Sequence, residues 1–380
     1  MRLLLLMACF CSLIACQETS TSSKGETKEV LWDTIPLQYA TNFTIQKQGK
    51  NTLLSIGKAW KNATPTFQYL LYPKDSTPPK AHPEATRIAV PVARVLCSGS
   101  VDVTFLNALD ATANIVGLSN GQYIYDSTIQ ARLANGELVN IGQDQGIDYE
   151  KAITSNPDLA FVYSIGDQNS YKKYQSIGIP AVMLSDFMET TPLGRAEWLL
   201  FVSYFLGKEA AAQAYLAKVN KAYEAIKNEA KKVVDKPTVL LGAVYKGIWY
   251  VAGGQSLMAA FIRDAGGDYL WKENREVSGV PFDFEVVYAK ALEADIWINQ
   301  SHYQQLPNLL RAEPMYADFK AVKEGRLYNY YKRASKNGGT DIFESAIVRP
   351  DLVLKDLLHV FHQHTVEADS LFYYMPLSSH

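Results

Sequence analysis

The residues able to do chemistry in this chain are scattered rather than gathered into a catalytic signature. No Walker-type glycine loop, G-x-G-x-x-G or G-x-S-x-G elbow occurs, so phosphate cradling, dinucleotide binding and serine hydrolysis have no local support. Gly253-Gly254-Gln255-Ser256 reads as a helix entry capped by Ser256, not as a nucleophile. The carboxylates show no spacing that pairs an acid with a base. His359, His362 and His364 lie close together near the C-terminus. On a helix His359 and His362 share a face and His362 and His364 do not. Without cysteines, a His-x-x-x-His pair or a nearby carboxylate motif, they read as structural, and no resident metal or cofactor is expected. The chemistry left is non-covalent capture. Tyr is abundant, with 23 among 380 residues, and aromatics make up 12%. Tyr and Trp supply stacking surface with a polar handle, and Arg can hold an anion with two parallel hydrogen bonds.

Those side chains need elements to position them. Apolar strand runs alternate with short helical patterns from residue 88 to 184. They are Ile88 to Cys97 (broken at Pro91), Ile115 to Leu118, Leu159 to Tyr163 and Ala181 to Leu184, with helices at Val101 to Leu109, Asp148 to Thr154 and Tyr171 to Ser176. Such alternation implies a mostly parallel sheet covered by helices, with ligands beyond the carboxyl ends of its strands. Residues at such ends are therefore assigned to a ligand: Ser98, Ser100, Tyr123, Tyr125 and Asp144 in the first half, and Tyr245, Trp249, Tyr250, Tyr303, Arg333 and Asn337 in the second. Trp249 and Tyr250 stand out, because Gly247, Gly253 and Gly254 border them in an open loop. Arg333 is the candidate anion holder.

Ala212, Leu216, Val219, Tyr223, Ile226, Ala230 and Val233 recur at spacings of three and four, with Lys and Glu between them. That pattern predicts one amphipathic helix over 208–234, a strut between two α/β regions. A second region opens on the buried run Thr238 to Val244. Asp148-Tyr149-Glu150 followed by Asp158-Leu159 recurs as Asp283-Phe284-Glu285 followed by Asp295-Ile296, suggesting two similar lobes. The expected organisation is a first lobe over 30–191, a helical segment over 192–236 and a second lobe over 237–380. Val30 to Tyr72 reads as an N-terminal β-meander, with a turn at Gln48-Gly49-Lys50-Asn51.

The first residues read as an export signal over 1–15. Arg2 and the short apolar run Leu3 to Leu13 precede Leu13-Ile14-Ala15-Cys16, which resembles a bacterial lipobox. Cys16 is then the lipidated mature N-terminus, and residues 16–29, rich in Ser, Thr, Lys and Glu, form a flexible tether. Cys9 and Cys11 leave with the signal, so Cys97 remains as the only thiol of the mature body, and no internal disulfide is expected. Lys and Arg number 37 against 39 Asp and Glu, a formal charge of -2, which offers nothing to nucleic-acid phosphates.

From about Arg87 onward the chain resembles the helical-backbone (class III) periplasmic binding proteins of ABC importers, those for iron-siderophore, haem and vitamin B12, in their lipoprotein branch. The carriers are Ala152 to Asn156 with Pro157-Asp158, Ser176-Ile177-Gly178-Ile179-Pro180, Gly253 to Ser256 with Asp264 to Leu270, and Leu292 to Ile298. Gly338-Gly339-Thr340-Asp341 and Arg349-Pro350-Asp351 extend the likeness, and the β-meander falls outside it. The resemblance implies two α/β lobes joined by one long helix, with a ligand between them: a ferric siderophore, haem or a corrinoid. It implies delivery to the permease and no catalysis. A tetrapyrrole- or metal-handling enzyme of chelatase type on a related two-lobed fold is the alternative, and a surface carrier serving an outer-membrane receptor is a third reading. The family's paired docking glutamates fall on Gln255 and on Gln168, beside Asp167. The resemblance thus implies docking by neutral hydrogen bonds, or an asymmetric contact through Asp167.

Overall fold

The computed structural model describes residues 31–143, 146–363 and 370–378. Two parallel sheets organise it, each with its own apolar core. In the first, strands Val95–Cys97, Ile115–Leu118, Val139–Asn140, Leu159–Val162 and Ala181–Met183 pair in parallel throughout. Taken in chain order, they lie 3-2-1-4-5 across the sheet. In the second, Thr238–Leu241, Asp268–Tyr269, Ile296–Ile298, Leu327–Asn329 and Met375–Pro376 lie in the order 2-1-3-4-5, and only the last pair is antiparallel. Each sheet therefore reverses its strand order beside its own first strand, which is where doubly wound sheets open a crevice.

The recurring Asp-aliphatic pair marks that reversal in both lobes. Asp158 opens the strand beside Val95–Cys97, and its Oδ2 accepts from the backbone N–H of Ala93 at 2.6 Å and Arg94 at 3.0 Å. Asp295 opens the strand beside Thr238–Leu241, and its Oδ2 accepts from Thr238 N at 2.8 Å and Thr238 Oγ1 at 2.7 Å. A carboxylate satisfies the N–H groups where the neighbouring strand begins, before the ladder can. The repeat is a local device shared by two lobes whose strand orders differ.

Helix Pro192–Leu206 begins with Thr191 as N-cap and Pro192 in its first turn. It ends at Gly207, whose φ of 64° is the left-handed C-cap that glycine adopts without strain. The next helix, Glu209–Ala230, is the strut expected over 208–234, a few residues shorter at its C-terminal end. Ala212 and Leu216 pack into the first core and Tyr223 into the second, so one rigid element crosses between them. The terminal helix Pro350–His362 packs along it.

The meander is real and is built into the first lobe. Asp33–Ile35, Phe43–Gln48, Asn51–Ile56 and Phe67–Pro73 pair antiparallel, and Thr86–Val90 adds in parallel. Phe43, Ile45, Ile56 and Tyr69 belong to the first core, and Tyr69 Oη accepts from Met183 N at 2.8 Å. Two buried glutamates complete the join. Glu197 accepts from the backbone N–H of Gln38, Tyr39 and Ala40, and Glu189 from those of Thr41 and Asn42.

Candidate ligand cleft

The carboxyl ends of both sheets face one interlobe cleft. On the first-lobe side, Val95–Cys97 ends at Ser98, whose N–H and hydroxyl both donate to Asp102 Oδ2 in the first turn of helix Ser100–Ala108. Burial pushes Asp102 up to about 7, and the Ser98 hydrogen bonds pull against that rise. Ser119 and Asn120, at the end of Ile115–Leu118, donate to Ser98 O at 2.9 and 3.2 Å. The turn is thus held from behind while Ser98 and Ser100 line the cleft. Leu159–Val162 ends at Tyr163, 49% exposed, its ring edge-on to Phe187 at 5.0 Å. Beyond Ala181–Met183 comes Asp186, only 2% exposed, paired with Arg195 Nε at 2.8 Å. No protein partner holds Arg195 Nη1 or Nη2 among the described residues.

The second lobe answers with apolar surface. Met258 and Phe261 from helix Leu257–Asp264, Asn299 beyond Ile296–Ile298, Tyr330 beyond Leu327–Asn329, and Phe343 line a cavity of about 230 Å³. A first-lobe cavity of about 340 Å³ includes Ser98, Ser100, Tyr123, Tyr163 and Phe187. Arg195 lines both, so the one guanidinium sits where the two halves of the cleft meet. The second-lobe half is mostly apolar, whereas the first-lobe half carries Ser98, Ser100, Asp102, Asn120 and Asp186 beside its aromatic rings.

A family model described as periplasmic binding protein matches residues 96–334, from the strand that presents Ser98 to the segment carrying Arg333. The chain belongs to that family. An uncharacterized lipoprotein of Methanocaldococcus jannaschii is 27% identical over 285 residues, covering 72% of this binding protein and 66% of the relative, just under two thirds of its length. A periplasmic binding protein from Veillonella parvula superimposes with TM-score 0.59 at 17% identity, covering 84% of this chain and 100% of the other. A periplasmic heme binding protein from Pseudomonas aeruginosa does so with TM-score 0.54 at 19% identity, covering 71% and 93%. These solved structures share the two-lobed α/β fold. The meander lies outside the matched residues, as the sequence resemblance implied.

Of the residues assigned to ligand from sequence, this binding protein brings Ser98, Ser100 and Tyr123 to the cleft. Trp249 is a correction. It is fully buried, its indole N–H donates to Leu241 O at 3.1 Å, and it packs on Trp297 and Tyr316 at 5.9 and 5.8 Å. Strand Ile248–Ala252 alternates faces, so Ile248 and Tyr250 point out and Trp249 must point in. Tyr250 and Tyr245 stay exposed on that hairpin, away from the cleft lining. Tyr303 packs on His302 at 4.3 Å, the rings tilted, in a separate shallow depression, and Asn337 lies on an exposed turn.

Tyr125 and Arg333 meet each other rather than the cleft, with the guanidinium 5.3 Å from the ring centroid and paired to Asp341. Asp144 and Cys16 lie outside the described residues, as does His364. His362 Nε2 hydrogen-bonds Ala265 O at 2.8 Å. Gln255 is exposed at the entry to helix Leu257–Asp264, and Gln168 is half-buried at the N-cap of Asn169–Ser176. Sequence reading missed Tyr163, Arg195, Asn299, Tyr330 and Phe343. The apolar run extends that strand to Tyr163, whereas the strand stops at Val162. For Arg195, inside a helix, no local signal existed.

Proposed function

We propose that this chain is a lipid-anchored receptor of an ABC importer, capturing an iron chelate, haem or a corrinoid between its lobes and delivering it to the permease. The observation that carries the reading is Arg195, whose two terminal nitrogens have no partner among the described residues where an aromatic half-cleft meets an apolar one. A bulky conjugated ligand with carboxylate or catecholate edges fits that pattern, and the heme binding neighbour supports it. Native mass spectrometry of protein purified from its own host tests it. A co-purifying tetrapyrrole or metal chelate is expected; a sugar or peptide in that position sinks the reading.

Attachment follows from Cys16, since each buried acyl CH₂ is worth about 0.8 kcal/mol and two or more chains make anchoring durable. Cys16→Ala should yield a soluble protein that still binds ligand. Persistence of the variant in the membrane fraction would show a different anchor. Docking through Gln255 and Gln168 rests on neutral hydrogen bonds, so affinity for the permease should vary little with salt. A steep salt dependence abolished by Asp167→Asn would point to the asymmetric contact through Asp167 instead.

A further inference from the structure

The segment Asp341 to Arg349 crosses between the lobes and has two faces. Ile342, Phe343, Ala346 and Ile347 form a wall of the ligand cleft. Ala346 belongs to the second core, and Ile347 and Val348 to the first. At the rear of this wall Glu344 holds the segment to the first lobe. One carboxylate oxygen accepts from Tyr125 N, and the other from Asp126 N at 3.2 Å. Two contacts flank that joint. Ser100 Oγ donates to Phe343 O at 3.3 Å, and a side chain at Gly339 would collide with the Tyr123 carbonyl.

Glu344 is 4% exposed, and no cation pairs with it among the described residues. Like charges face it instead: Asp341 three residues before it, and Asp126 across the joint. The neighbouring cations already have partners, Arg333 in Asp341 and Arg349 in Asp351. The other elements around the joint bring no charge. Helix Ser100–Ala108 presents Thr104 and Asn107, the strut presents Tyr215, and Tyr373 meets Ser345 at 2.8 Å. Burial raises the pKa of both tyrosines, so they stay protonated. A buried carboxylate without a cation and beside two others holds its proton more tightly than a hydrated one. Burial, the largest cause, pushes Glu344 up to about 7, and the two N–H donors pull the other way.

We propose that Glu344 makes this joint a proton-linked latch, which holds the cleft wall against the first lobe when Glu344 is protonated and loosens when it ionises. The protonated group still accepts through its carbonyl oxygen, and its O–H can turn into the cavity of about 750 Å³ behind the wall. Opening the joint hydrates Glu344 and returns it to the ordinary carboxylate range, so the closed joint binds the proton more tightly than the open one. The latch is therefore strongest below about pH 4.5, weakens as pH rises, and is weakest above about 7. It does not depend on what the cleft binds.

Hydrogen exchange of the ligand-free full chain tests it, corrected for the intrinsic rate at each pH. The N–H groups of Tyr125 and Asp126 report the joint directly. Their protection should fall about tenfold between about pH 5.5 and 7, then level off. Glu344→Gln removes the titrating group and should abolish that fall. Asp126→Asn removes one like charge, keeps a good helix cap and should move the fall to lower pH. Protection that does not change across this window overturns the proposal. So does a fall of the same size in Glu344→Gln, which would place the proton elsewhere. Should Glu344→Gln fail to fold, Asp126→Asn decides, and an unshifted fall overturns the proposal. A wrong ligand class for the cleft would leave all of these results standing.

Discussion

Trp249→Ala should destabilise the protein by about 3–5 kcal/mol, the range for deleting a large aromatic from a packed core. Trp249 packs among Trp297, Tyr316 and Phe319, edge-on to Tyr316, and its N–H occupies Leu241 O at the end of the first strand of the second sheet. Alanine leaves a cavity and an unpaired buried carbonyl together. Denaturant unfolding followed by tryptophan fluorescence reads the effect, and the midpoint should fall sharply. The folded fraction should keep its ligand affinity, because the ring faces away from the cleft. A variant as stable as the parent but deficient in binding would return Trp249 to the ligand and contradict the alternation of the Ile248–Ala252 strand.

Arg195→Gln should cost the cleft about 1.5–3 kcal/mol of affinity for an anionic chelate, roughly ten- to a hundredfold and more, the usual worth of hydrogen bonds to a charged group. Haemin and a carboxylate-bearing ferric chelate are suitable probes. The same change leaves Asp186 buried without its cation, so some loss of stability accompanies it. Arg195→Gln with Asp186→Asn separates the two effects. The double variant should recover most of the melting temperature and none of the affinity. Recovery of both would make Arg195 a structural partner of Asp186, and the anionic edge of the ligand would need another holder.

Much of the architecture was legible because it rests on local chemistry. Ser256 caps its helix by accepting from Ala259 N, as its position ahead of an apolar period implies, whereas Asp148, which the pattern counts as the first helical residue, is the cap of Tyr149–Thr154 and accepts from Lys151 N. The strut was readable from its period alone, since a helix that crosses two cores must keep one apolar stripe throughout. Ser98 and Ser100 were readable as cleft residues because they follow a short apolar run directly. Trp249 was misplaced although its own strand is ordinary. Glycines on either side suggested an open loop, and they instead border a hairpin whose alternation turns the indole inward. One residue of register decides which face a side chain takes.

The two arginines mark the limit most clearly. Arg333 and Arg195 are equally polar and equally unremarkable in their neighbourhoods, yet Arg195 stands in the cleft and Arg333 behind its wall. The sequence by itself determined the two α/β regions, the strut, the meander and the Ser256 cap, because each depends on spacing within a few residues and on which face must be buried. Only the tertiary structure decided which polar groups are paired within the protein and which side of the cleft wall each of them takes. Asp186 is nine residues from Arg195, but Glu344 meets Tyr125 and Asp126 from more than two hundred residues away. The partners of each polar side chain are set by how the lobes and their crossing segments pack, not by its neighbours in the chain.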